Sequence, residues 1–484
     1  MNGLATHCFV GGEFVRGDAA PITVVNPATD AVLAEVPGAS ASLAARAAEA
    51  NVLGARAMRR LPLLGRVELL RRLAAGIRAE STSLAPLLTA ESGKPIVESR
   101  GEVEYAASFF DHAAAVAETA CGELPASRTA DRRILVLREP IGATVAITPW
   151  NFPLAMIARK LAPALAAGCS QVVKPAEETP LAALAFARIF ADAATAAGAP
   201  TSAFSVLVGD PSTVAGPLLA HPGTRKLTFT GSTEVGRLLA AQCAPRLMRT
   251  ALELGGNAPF IVFADANLER AVEQAMLSKF RFMGQTCICA NRFLLERSIA
   301  DAFLERIVDR ARTLPIGDPT EEATRVGPLI NDAAVAKVEA HIADALAQGS
   351  RLRAGGRRVA VPGLSARFVE PTILEGCTRA MRCTREETFG PLVAAMTFTN
   401  EAEALELAND VPYGLAGYVM TQDADRLLRV AESLDFGVIG ANDGAPSTAE
   451  APFGGRKDSG LGKEGGTHGV DAYTEFKYVS VRVR

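Results

Sequence analysis

Short apolar runs alternate with amphipathic segments along most of the chain. One run without charged residues, PIGATVAITPWNFPLAMIA, covers residues 140–158 and approaches the roughly 20 apolar residues that cross a bilayer. Pro149 and Pro153 interrupt it, and proline is placed in turns and at the first position of helices. The pattern therefore predicts a buried strand over residues 142–148, a rigid turn and a helix starting near Pro153, rather than a membrane span.

The same order of strand, turn and helix recurs down the chain. It is found in CSQVVKPAEETP, in RKLTFTGSTEVGRLLAAQ and in APFIVFADANLERAVEQAMLSKFRF, where residues 265–267 are suited to cap the helix. Buried strands joined by helices indicate parallel sheets. We expect an α/β protein with a domain boundary near Gly255 and Gly256, after which strand and helix signals continue in RFLLERS, GPLIND, RFVEPTILEG and GPLVAAMTFTN.

The C-terminal stretch TEFKYVSVRV alternates its side chains as a strand does, and no helical segment follows to cover it. Such a strand is predicted to pair with another subunit.

The chain has 484 residues, which is too long for one ordinary hydrophobic core and favours two or three domains.

Composition excludes several classes of function. Hydrophobic residues make up 49% and charged residues 21% of the chain, as in globular proteins. The formal net charge is -3 and no basic run is interleaved with aromatics, so nucleic acid is not an expected partner. The eight cysteines are too sparse for a secreted disulfide framework, and the first residues do not resemble a signal peptide. A cytoplasmic protein is expected.

The segment MGQTCICANR places two cysteines, Cys287 and Cys289, one residue apart. A metal site needs two more soft ligands at suitable spacing, and the sequence offers no C-x-x-C and no histidine nearby, so no metal is predicted. A disulfide between such close cysteines is strained, which disfavours a structural bridge and leaves a labile one feasible. The remaining interpretation is a nucleophile.

A cysteine nucleophile usually borrows a base. The five histidines lie in segments without other catalytic signals, and no G-x-S-x-G motif offers a serine in place of the cysteine. Glu253 in LELGGNAP is the candidate base, because its apolar neighbours would raise the pKa of a carboxylate. The alternative for Glu253 is a structural ion pair.

Seven motifs in order between about residues 13 and 481 resemble the signatures of the aldehyde dehydrogenase superfamily: TPWNFP, KPAEETP, FTGSTEVG, LELGGNAP, GQTCICANR, EETFGP and APFGGRKDSGLGKEG. The segments ELGGNAPFIVF, SKFR, GQTCICANR and VAKVEAHIADAL are most similar to the sequences of succinate-semialdehyde dehydrogenases. The resemblance implies a Rossmann-like NAD-binding domain (residues 1–130 and 142–255), an α/β catalytic domain (256–446) and a β oligomerisation arm (131–141 and 470–484). It also implies a homodimer or homotetramer.

The resemblance assigns catalytic roles to three residues. Cys287 matches the family's nucleophile, and its thiohemiacetal oxyanion would be held by the Asn151 side-chain amide and the Cys287 backbone N–H. Hydride transfer would leave a thioester that water activated by Glu253 hydrolyses to the acid. A CoA-acylating relative would lack this glutamate, and a non-catalytic scaffold protein would tolerate loss of Cys287 or Asn151, yet all three residues are present.

Cofactor residues are also implied. In this family Gly231 ends a strand and Ser232 opens a helix whose amides face the pyrophosphate. Lys174 would bond the adenine ribose, while a carboxylate at Glu177 would accept from the ribose hydroxyls of NAD and oppose the 2′-phosphate of NADP. NAD is therefore the preferred cofactor and NADP the alternative. The other matching positions are Trp150, Glu387 and Phe389, with Glu387 on the nicotinamide ribose. The alternative interpretations are structural: Trp150 and Phe389 as core aromatics, Gly231 as an ordinary turn residue and Glu177 as an acidic residue at the start of a helix.

Substrate choice rests on Arg159, Arg281 and Ser447, which match positions where semialdehyde dehydrogenases hold the far carboxylate. A guanidinium suits a carboxylate better than a point charge does. The chain differs from the usual sequence of the family at Phe282, where asparagine is usual, and at Pro446 beside Ser447. Succinate semialdehyde is the expected substrate, glutarate semialdehyde the near alternative, and a broad range of aliphatic aldehydes the third.

Cys289 has no step in this mechanism. One interpretation is a small buried hydrophobic residue, which is common for free cysteine. The other is a redox partner that captures oxidised Cys287 in a disulfide and protects it from further oxidation.

Overall fold

The alternation of apolar runs and amphipathic segments is realised as strands and helices in the computed structural model, which describes residues 6–483. Residues 1–5 and 484, at the ends of the first predicted domain and of the predicted arm, lie outside the described residues. The strand predicted over residues 142–148 is found at Ala143–Ile147, and the helix predicted near Pro153 spans Ala155–Ala167. All thirteen residues of that helix are buried, which explains an apolar run that resembles a membrane span.

Up to Glu253 the chain builds one large sheet, a separate hairpin and the first strand of the arm. Its strands are β1 (Cys8–Val10), β2 (Glu13–Val15), β3 (Ala19–Val25), β4 (Val32–Gly38), β5 (Arg132–Pro140), β6 (Ala143–Ile147), β7 (Ser170–Lys174), β8 (Phe204–Val206), β9 (Thr224–Thr230) and β10 (Arg249–Glu253). Its helices are α1 (Ala41–Arg60), α2 (Leu63–Ala79), α3 (Ser81–Ser92), α4 (Ile96–Thr119), α5 (Ala155–Ala167), α6 (Leu181–Ala196), α7 (Pro211–Ala220) and α8 (Thr233–Cys243).

The first sheet has eight strands in the order β2-β1-β8-β7-β6-β9-β10-β20, where β20 (Gly460–Leu461) comes from near the C-terminus. Strands β8, β7, β6, β9 and β10 are parallel, and a helix connects each consecutive pair from β6 to β10. Chain order runs outward in both directions from β6 and β9, so the sheet has a switch point between these two strands. In open α/β sheets, ligands bind in the crevice at the carboxyl ends of the strands at such a point.

After Glu253 the chain builds a second sheet. Its strands and the later ones are β11 (Ala258–Val262), β12 (Ala290–Glu296), β13 (Arg351–Ala354), β14 (Thr372–Glu375), β15 (Leu392–Phe398), β16 (Tyr413–Gly414), β17 (Ala416–Met420), β18 (Val438–Ala441), β19 (Arg456–Lys457), β20 (Gly460–Leu461) and β21 (Thr474–Arg482). The helices are α9 (Leu268–Phe280), α10 (Arg297–Arg312), α11 (Asp332–Ala347), α12 (Arg382–Arg385), α13 (Glu401–Asn409), α14 (Ala424–Ser433) and α15 (Gly466–Asp471).

The second sheet has seven strands in the order β13-β14-β15-β12-β11-β17-β18, and all neighbours from β14 to β18 are parallel. Gly255 and Gly256 connect β10 of the first sheet to β11 of the second. Asn267 caps α9 by accepting a hydrogen bond from the backbone N–H of Arg270, as the sequence predicts. The chain then returns to the first sheet, where β20 pairs antiparallel with β10.

The C-terminal strand β21 forms a separate two-stranded sheet with β5. Both strands are nine residues long and pair antiparallel over their whole length. The hydrogen-bonded partner is therefore another segment of the same chain, which the local pattern of β21 could not identify. Phe476 and Tyr478 on β21 remain exposed, and assembly of subunits through this arm stays a prediction.

Within residues 6–483, no helix combines the length and the apolar character that a membrane crossing requires.

Candidate active site

Cys287 lies between a short 3-10 turn, Arg281–Gly284, and the start of β12. Phe282 and Met283 have left-handed backbones, with φ of 46° and 51°, and Gly284 follows at 73°. This sharp turn takes the chain from α9 to the boundary of two cavities, both of which Cys287 lines. One cavity contains the predicted substrate residues and the other contains five of the seven predicted cofactor residues, so Cys287 is positioned between the two groups.

The electrostatic surroundings of Cys287 keep its thiol protonated at neutral pH. Burial raises the pKa of Cys287 to about 12, against the attraction of Arg159 and Arg281, and the carboxylates of Glu387 and Glu253 add to the increase. The thiolate is the nucleophilic form. Attack on an aldehyde therefore requires loss of the thiol proton, which the charges of Arg159 and Arg281 favour.

Asn151 lies in the turn that follows β6 and is buried. Its Nδ2 donates a hydrogen bond to the carbonyl oxygen of Gln285 at 3.0 Å, two residues before Cys287. The side-chain amide lines both cavities beside Cys287. This position supports the predicted role of Asn151 as a donor to an oxyanion that forms on a substrate attached to Cys287.

Glu253 is the last residue of β10, and its side chain faces the cofactor cavity that Cys287 also lines. Both carboxyl oxygens are buried and have no hydrogen-bond partner among the described residues. Burial, reinforced by the charge of Glu464, raises the pKa of Glu253 well above its ordinary value. A buried carboxyl group without a partner is uncommon in a purely structural role, and these features suit a general base that binds a water molecule.

A buried polar chain that the sequence analysis missed lies beside Glu253. Lys160 on α5 donates to Thr230 Oγ1 at 2.6 Å and to Glu464 Oε1 at 2.5 Å. Burial opposes ionisation of Glu464, but Lys160 and Arg159 outweigh it and lower the pKa of that carboxyl group. Thr230 lines both cavities, so this chain connects the site to the buried Lys160–Glu464 ion pair.

The first cavity has a volume of about 310 Å³ and a largely apolar wall with a few polar groups. Its residues come from α4, the turn after β6, α5, the loop before β12 and the C-terminal region: Glu98, Gly101, Glu102, Tyr105, Asn151, Phe152, Met156, Arg159, Thr230, Arg281, Thr286, Cys287, Ile288, Ser447 and Phe453. The three predicted substrate residues are therefore brought together with Cys287. Such a cavity suits a small ligand with one polar end.

Arg159 and Arg281 differ in how much of their hydrogen-bonding capacity is already used. The guanidinium of Arg159 donates to Tyr105 Oη and to Ser447 Oγ, the latter at 3.1 Å, and the Tyr105 and Ser447 hydroxyls are 2.7 Å apart. Arg281 has no side-chain hydrogen bond or ion pair within the described part of the chain, and its guanidinium lies 5.8 Å from the ring centroid of Phe152. Tyr105 is a pocket residue that sequence reasoning missed, because nothing in the α4 pattern marks it.

The second cavity, of about 330 Å³, lies at the switch point of the first sheet. It is lined by residues that follow β6, β9 and β10, by the start of α11 and by the EETFGP segment: Pro149, Trp150, Asn151, Thr230, Gly231, Ser232, Glu253, Leu254, Gly255, Cys287, Ile330, Asn331, Ala333, Ala334, Lys337, Glu387, Thr388 and Phe389. Five of the seven predicted cofactor residues are among them. Lys337 is an additional cation that the sequence analysis did not single out.

The turn after β9 fits a phosphate-bearing ligand. The backbone N–H of Gly231 donates to the Glu253 carbonyl oxygen at 3.0 Å, and a Cβ at this position would lie 2.3 Å from the Phe229 ring, so a larger residue would have to displace that ring. Ser232 caps α8 by accepting from the Val235 N–H at 3.3 Å. The first amides of α8 therefore face the cleft with the positive end of the helix dipole, as a pyrophosphate requires.

At the other wall of this cleft, Glu387 accepts a hydrogen bond from the Gly256 N–H at 2.9 Å. Burial raises the pKa of Glu387 to about 7. The rings of Trp150 and Phe389 meet edge to face with centroids 5.5 Å apart, and Phe389 has a left-handed backbone with φ of 57°. The paired rings of Trp150 and Phe389 form the apolar side of the cleft. The left-handed backbone of Phe389 is strained.

Lys174 and Glu177 are placed at the neighbouring strand end rather than in the lining of the cleft. Lys174 ends β7 and pairs in the sheet with Ile147 of β6. Its Nζ forms an ion pair with Glu177 Oε1 at 2.8 Å, and the Glu177 side chain is 31% exposed. A ligand that extends from the switch point along this sheet edge would reach both residues.

Cys289 points into the protein rather than into either cavity. It is buried, and Lys279 Nζ lies 3.3 Å from its Sγ. Burial raises the pKa of Cys289, which the Lys279 charge partly offsets. Both cysteines of this loop are free thiols.

Comparison with known proteins agrees with this geometry. The chain matches the description "Aldehyde dehydrogenase family" over residues 14–479. It therefore belongs to the aldehyde dehydrogenase family, whose members are oxidoreductases that oxidise aldehydes with NAD or NADP.

Several characterised relatives cover almost the whole chain. The 3-sulfolactaldehyde dehydrogenase of Pseudomonas putida is 47% identical over 98% of this chain and 97% of the relative. The glutarate-semialdehyde dehydrogenase of Pseudomonas aeruginosa is 46% identical over 98% and 97%. The succinate-semialdehyde dehydrogenase (NADP+) of Escherichia coli K12 is 44% identical over 98% and 97%.

Among solved structures, succinate-semialdehyde dehydrogenase from Burkholderia pseudomallei superposes with a TM-score of 0.96 at 47% identity, covering 99% of this chain and 98% of that one. The predicted fold class, a Rossmann-like sheet with a second α/β sheet and a β arm, is thereby confirmed. The enzyme class is confirmed as well.

Proposed function

We propose that this aldehyde dehydrogenase oxidises a short aldehyde with an anionic group at its far end, with succinate semialdehyde as the first candidate. The observation that carries the proposal is the arrangement of Arg281, Arg159 and Ser447 in one cavity with Cys287. Arg281 has no anionic partner of its own within the described residues, so a substrate carboxylate can take both of its terminal N–H groups. Guanidinium and carboxylate form paired, charge-assisted hydrogen bonds.

The proposed reaction uses three residues. Cys287 releases its thiol proton to water in the cavity, the thiolate attacks the aldehyde carbon, and the resulting oxyanion accepts hydrogen bonds from Asn151 Nδ2 and the Cys287 N–H. Loss of a hydride from the tetrahedral carbon then leaves a thioester on Cys287, and a bound nicotinamide would supply the hydride acceptor. Glu253 then takes a proton from the water that hydrolyses the thioester on Cys287. The raised pKa of Glu253 supports this role, because a carboxylate with a higher pKa is a stronger proton acceptor.

The cofactor proposal is NAD, held across the switch point of the first sheet. Gly231 and Ser232 would bind the pyrophosphate, Lys174 and Glu177 the adenine ribose, and Trp150, Glu387 and Phe389 the nicotinamide half. The preference for NAD over NADP rests on Glu177, whose carboxylate would repel a 2′-phosphate. The ion pair with Lys174 reduces that repulsion, so NADP is the alternative, and the E. coli relative is named for NADP+.

Two other anionic aldehydes are alternatives to succinate semialdehyde. Relatives of similar identity are named for glutarate semialdehyde and for 3-sulfolactaldehyde. A guanidinium pairs with a sulfonate as well as with a carboxylate, so the shared feature of all three candidates is the anion at the end of the aldehyde. The cavity therefore supports an anionic aldehyde as the substrate class.

The domain assignments and the assembly are also proposals. We infer that residues 1–130 and 142–255 bind the cofactor, that 256–446 carry Cys287, and that 131–141 with 470–484 join subunits into a dimer or tetramer. Exposed Phe476 and Tyr478 on the arm support the last point. A cytoplasmic location is proposed from the cysteine usage.

The test is a substrate panel in which NADH or NADPH formation is followed with each coenzyme. Succinate semialdehyde is compared with butanal, and glutarate semialdehyde with pentanal, because each pair matches in carbon number and differs in the anion; 3-sulfolactaldehyde is added. The proposal expects kcat/KM for the anionic members to exceed that of their neutral partners by at least about tenfold, which corresponds to roughly 1.4 kcal/mol. Equal values within each pair would contradict it.

A further inference from the structure

A fully buried lysine, Lys94, lies behind the wall of the substrate cavity between α3 and α4. Its ammonium group contacts the carboxylate of Glu102, which is also buried. The other oxygen of Glu102 accepts hydrogen bonds from the backbone N–H groups of Leu154 and Ala155, at 3.0 and 3.2 Å. Because α5 has no side-chain cap of its own, Glu102 supplies the negative charge that the start of this helix favours.

The same ammonium group contacts the faces of two aromatic rings. Lys94 Nζ is 3.8 Å from the ring centroid of Phe152 and 4.7 Å from that of Phe282. The two rings meet edge to face at 6.3 Å. Phe152 directly follows Asn151, and Phe282 belongs to the turn that leads to Cys287, so a single cation joins the two loops that carry the proposed oxyanion donor and nucleophile.

The conformation of Phe282 indicates that its surroundings hold it in place. Its φ of 46° lies in the left-handed region, which a bulky side chain rarely adopts and in which asparagine or glycine is favoured. Its backbone N–H donates to Glu98 Oε2 at 2.8 Å, and its ring is completely buried. Strained residues persist where the surrounding structure determines them, often at functional sites.

We propose that Lys94 is a positioning residue for catalysis, which holds Phe152 and Phe282 together and thereby fixes the Asn151 amide against the loop of Cys287. This inference rests on the proposed function, since it acts through Asn151 as an oxyanion donor. The contact it maintains is the hydrogen bond from Asn151 Nδ2 to the Gln285 carbonyl oxygen at 3.0 Å.

Stability alone gives no adequate reason for this arrangement. A buried ion pair can be replaced by neutral groups of similar volume without loss of stability, because removing two charges from water offsets their attraction. Burial lowers the pKa of Lys94, while the adjacent Glu102 carboxylate opposes that change and favours the charged form. A geometric role accounts for a cation that contacts Glu102, Phe152 and Phe282 at once.

The test uses the variant Lys94→Met/Glu102→Gln, which removes both charges and preserves the approximate volumes and an oxygen for the α5 amides. The readout is the rate constant of the first NADH burst at saturating aldehyde and NAD. We expect a loss of about tenfold with aldehyde KM within about twofold, since small misplacements of reacting groups cost up to about a hundredfold. Lys94→Arg keeps a cation near both rings and should retain most of the burst rate.

The matched control is Lys226→Met. Lys226 is likewise buried and lies 4.2 Å from the ring centroid of Tyr473. It is near the start of β9, about 13 Å along the strand from Thr230 at the cavity. This variant should leave the burst rate constant unchanged.

A double-mutant cycle with Asn151→Ala decides whether Lys94 acts through Asn151. Loss of an oxyanion donor typically costs about 10²–10³ in rate. In the Asn151→Ala background, the Lys94→Met/Glu102→Gln change should cost little further, because coupled residues are not additive. Multiplicative losses, or an unchanged burst in the folded Lys94 variant, would overturn this inference alone. No loss in Asn151→Ala itself would overturn the proposed mechanism and the inference with it.

A second variant, Phe282→Leu, tests the proposal if the Lys94→Met/Glu102→Gln protein does not fold. Phe282→Leu retains an apolar side chain and leaves the Lys94–Glu102 pair intact. It should lower the burst rate constant in the same direction and show the same lack of additivity with Asn151→Ala. A folded Phe282→Leu protein with the burst rate of the wild type would overturn the inference.

Discussion

Replacing Arg281 with leucine tests the proposed substrate class directly. Arg281 lines the cavity with Cys287, and its guanidinium has no hydrogen bond or ion pair to another side chain in the described residues. By contrast, Arg159 already donates to Tyr105 and Ser447. Arg281 can therefore give its terminal N–H groups to the substrate anion without breaking an internal contact, and its loss should affect anionic substrates selectively.

The size of the effect follows from the kind of contact. A hydrogen bond to a charged group contributes about 1.5–3 kcal/mol, which corresponds to roughly 10- to 150-fold in kcat/KM. Arg281→Leu should lower kcat/KM for succinate semialdehyde by that factor. For butanal, which has no anion to lose a partner, the change should stay below about threefold. The leucine keeps an apolar side chain at this position of the cavity wall.

The assay is the initial rate of NADH formation with both aldehydes at saturating NAD. Arg310→Leu is the control, because Arg310 is an exposed residue on α10 that pairs with Glu269 at 3.3 Å and lines neither cavity. An equal loss on succinate semialdehyde and butanal would refute the reasoning and make Arg281 a scaffold residue.

Three further predictions concern the cofactor, the second cysteine and pH. Glu177→Ser should raise kcat/KM for NADP and lower it for NAD, since the carboxylate no longer repels the 2′-phosphate; a wild type that already prefers NADP would contradict this. After peroxide treatment and a mild dithiol, wild type and Cys289→Ala should recover equally without a Cys287–Cys289 peptide by mass spectrometry, because Cys289 is buried against Lys279; greater recovery of wild type together with that peptide would make Cys289 a redox partner. Because burial raises the pKa of Glu253, its protonated form stabilises the fold, and that stabilisation is lost as pH rises from about 4.5 through the raised pKa. The difference in melting temperature, Glu253→Gln minus wild type, should therefore increase as the pH is raised from 5 to 8. A difference that stays constant over this range would argue against the raised pKa of Glu253.

The parts of the site that sequence could predict are those set by local strand and turn patterns. Asn151, Gly231 and Glu253 each lie at or just after the carboxyl end of a strand of the first sheet, and parallel strands bring such ends to one edge. The strand-turn-helix order and the resemblance of the motifs therefore predict that these three residues lie near Cys287.

The parts that sequence could not predict depend on contacts between distant segments. Tyr105 on α4 and Lys94 in the loop between α3 and α4 reach the site because α4 packs against α5, and no local sequence pattern distinguishes these two residues. Glu464 lies more than 200 residues from Glu253 and meets it only through the return of the chain to the first sheet. The β5 partner of β21 was missed for the same reason, since register between remote strands is a property of the whole fold.

The most direct test of the central claim, oxidation through a thioester on Cys287 that Glu253 hydrolyses, is the intact mass of Glu253→Gln after mixing with succinate semialdehyde and NAD. The account predicts one burst of NADH, stoichiometric with the enzyme, and a covalent acyl group that peptide mapping places on Cys287, because only deacylation needs the activated water. Cys287→Ala should show neither the burst nor the adduct. A Glu253→Gln enzyme that turns over at the wild-type rate, or that gives no burst and no acyl group on Cys287, would contradict the account.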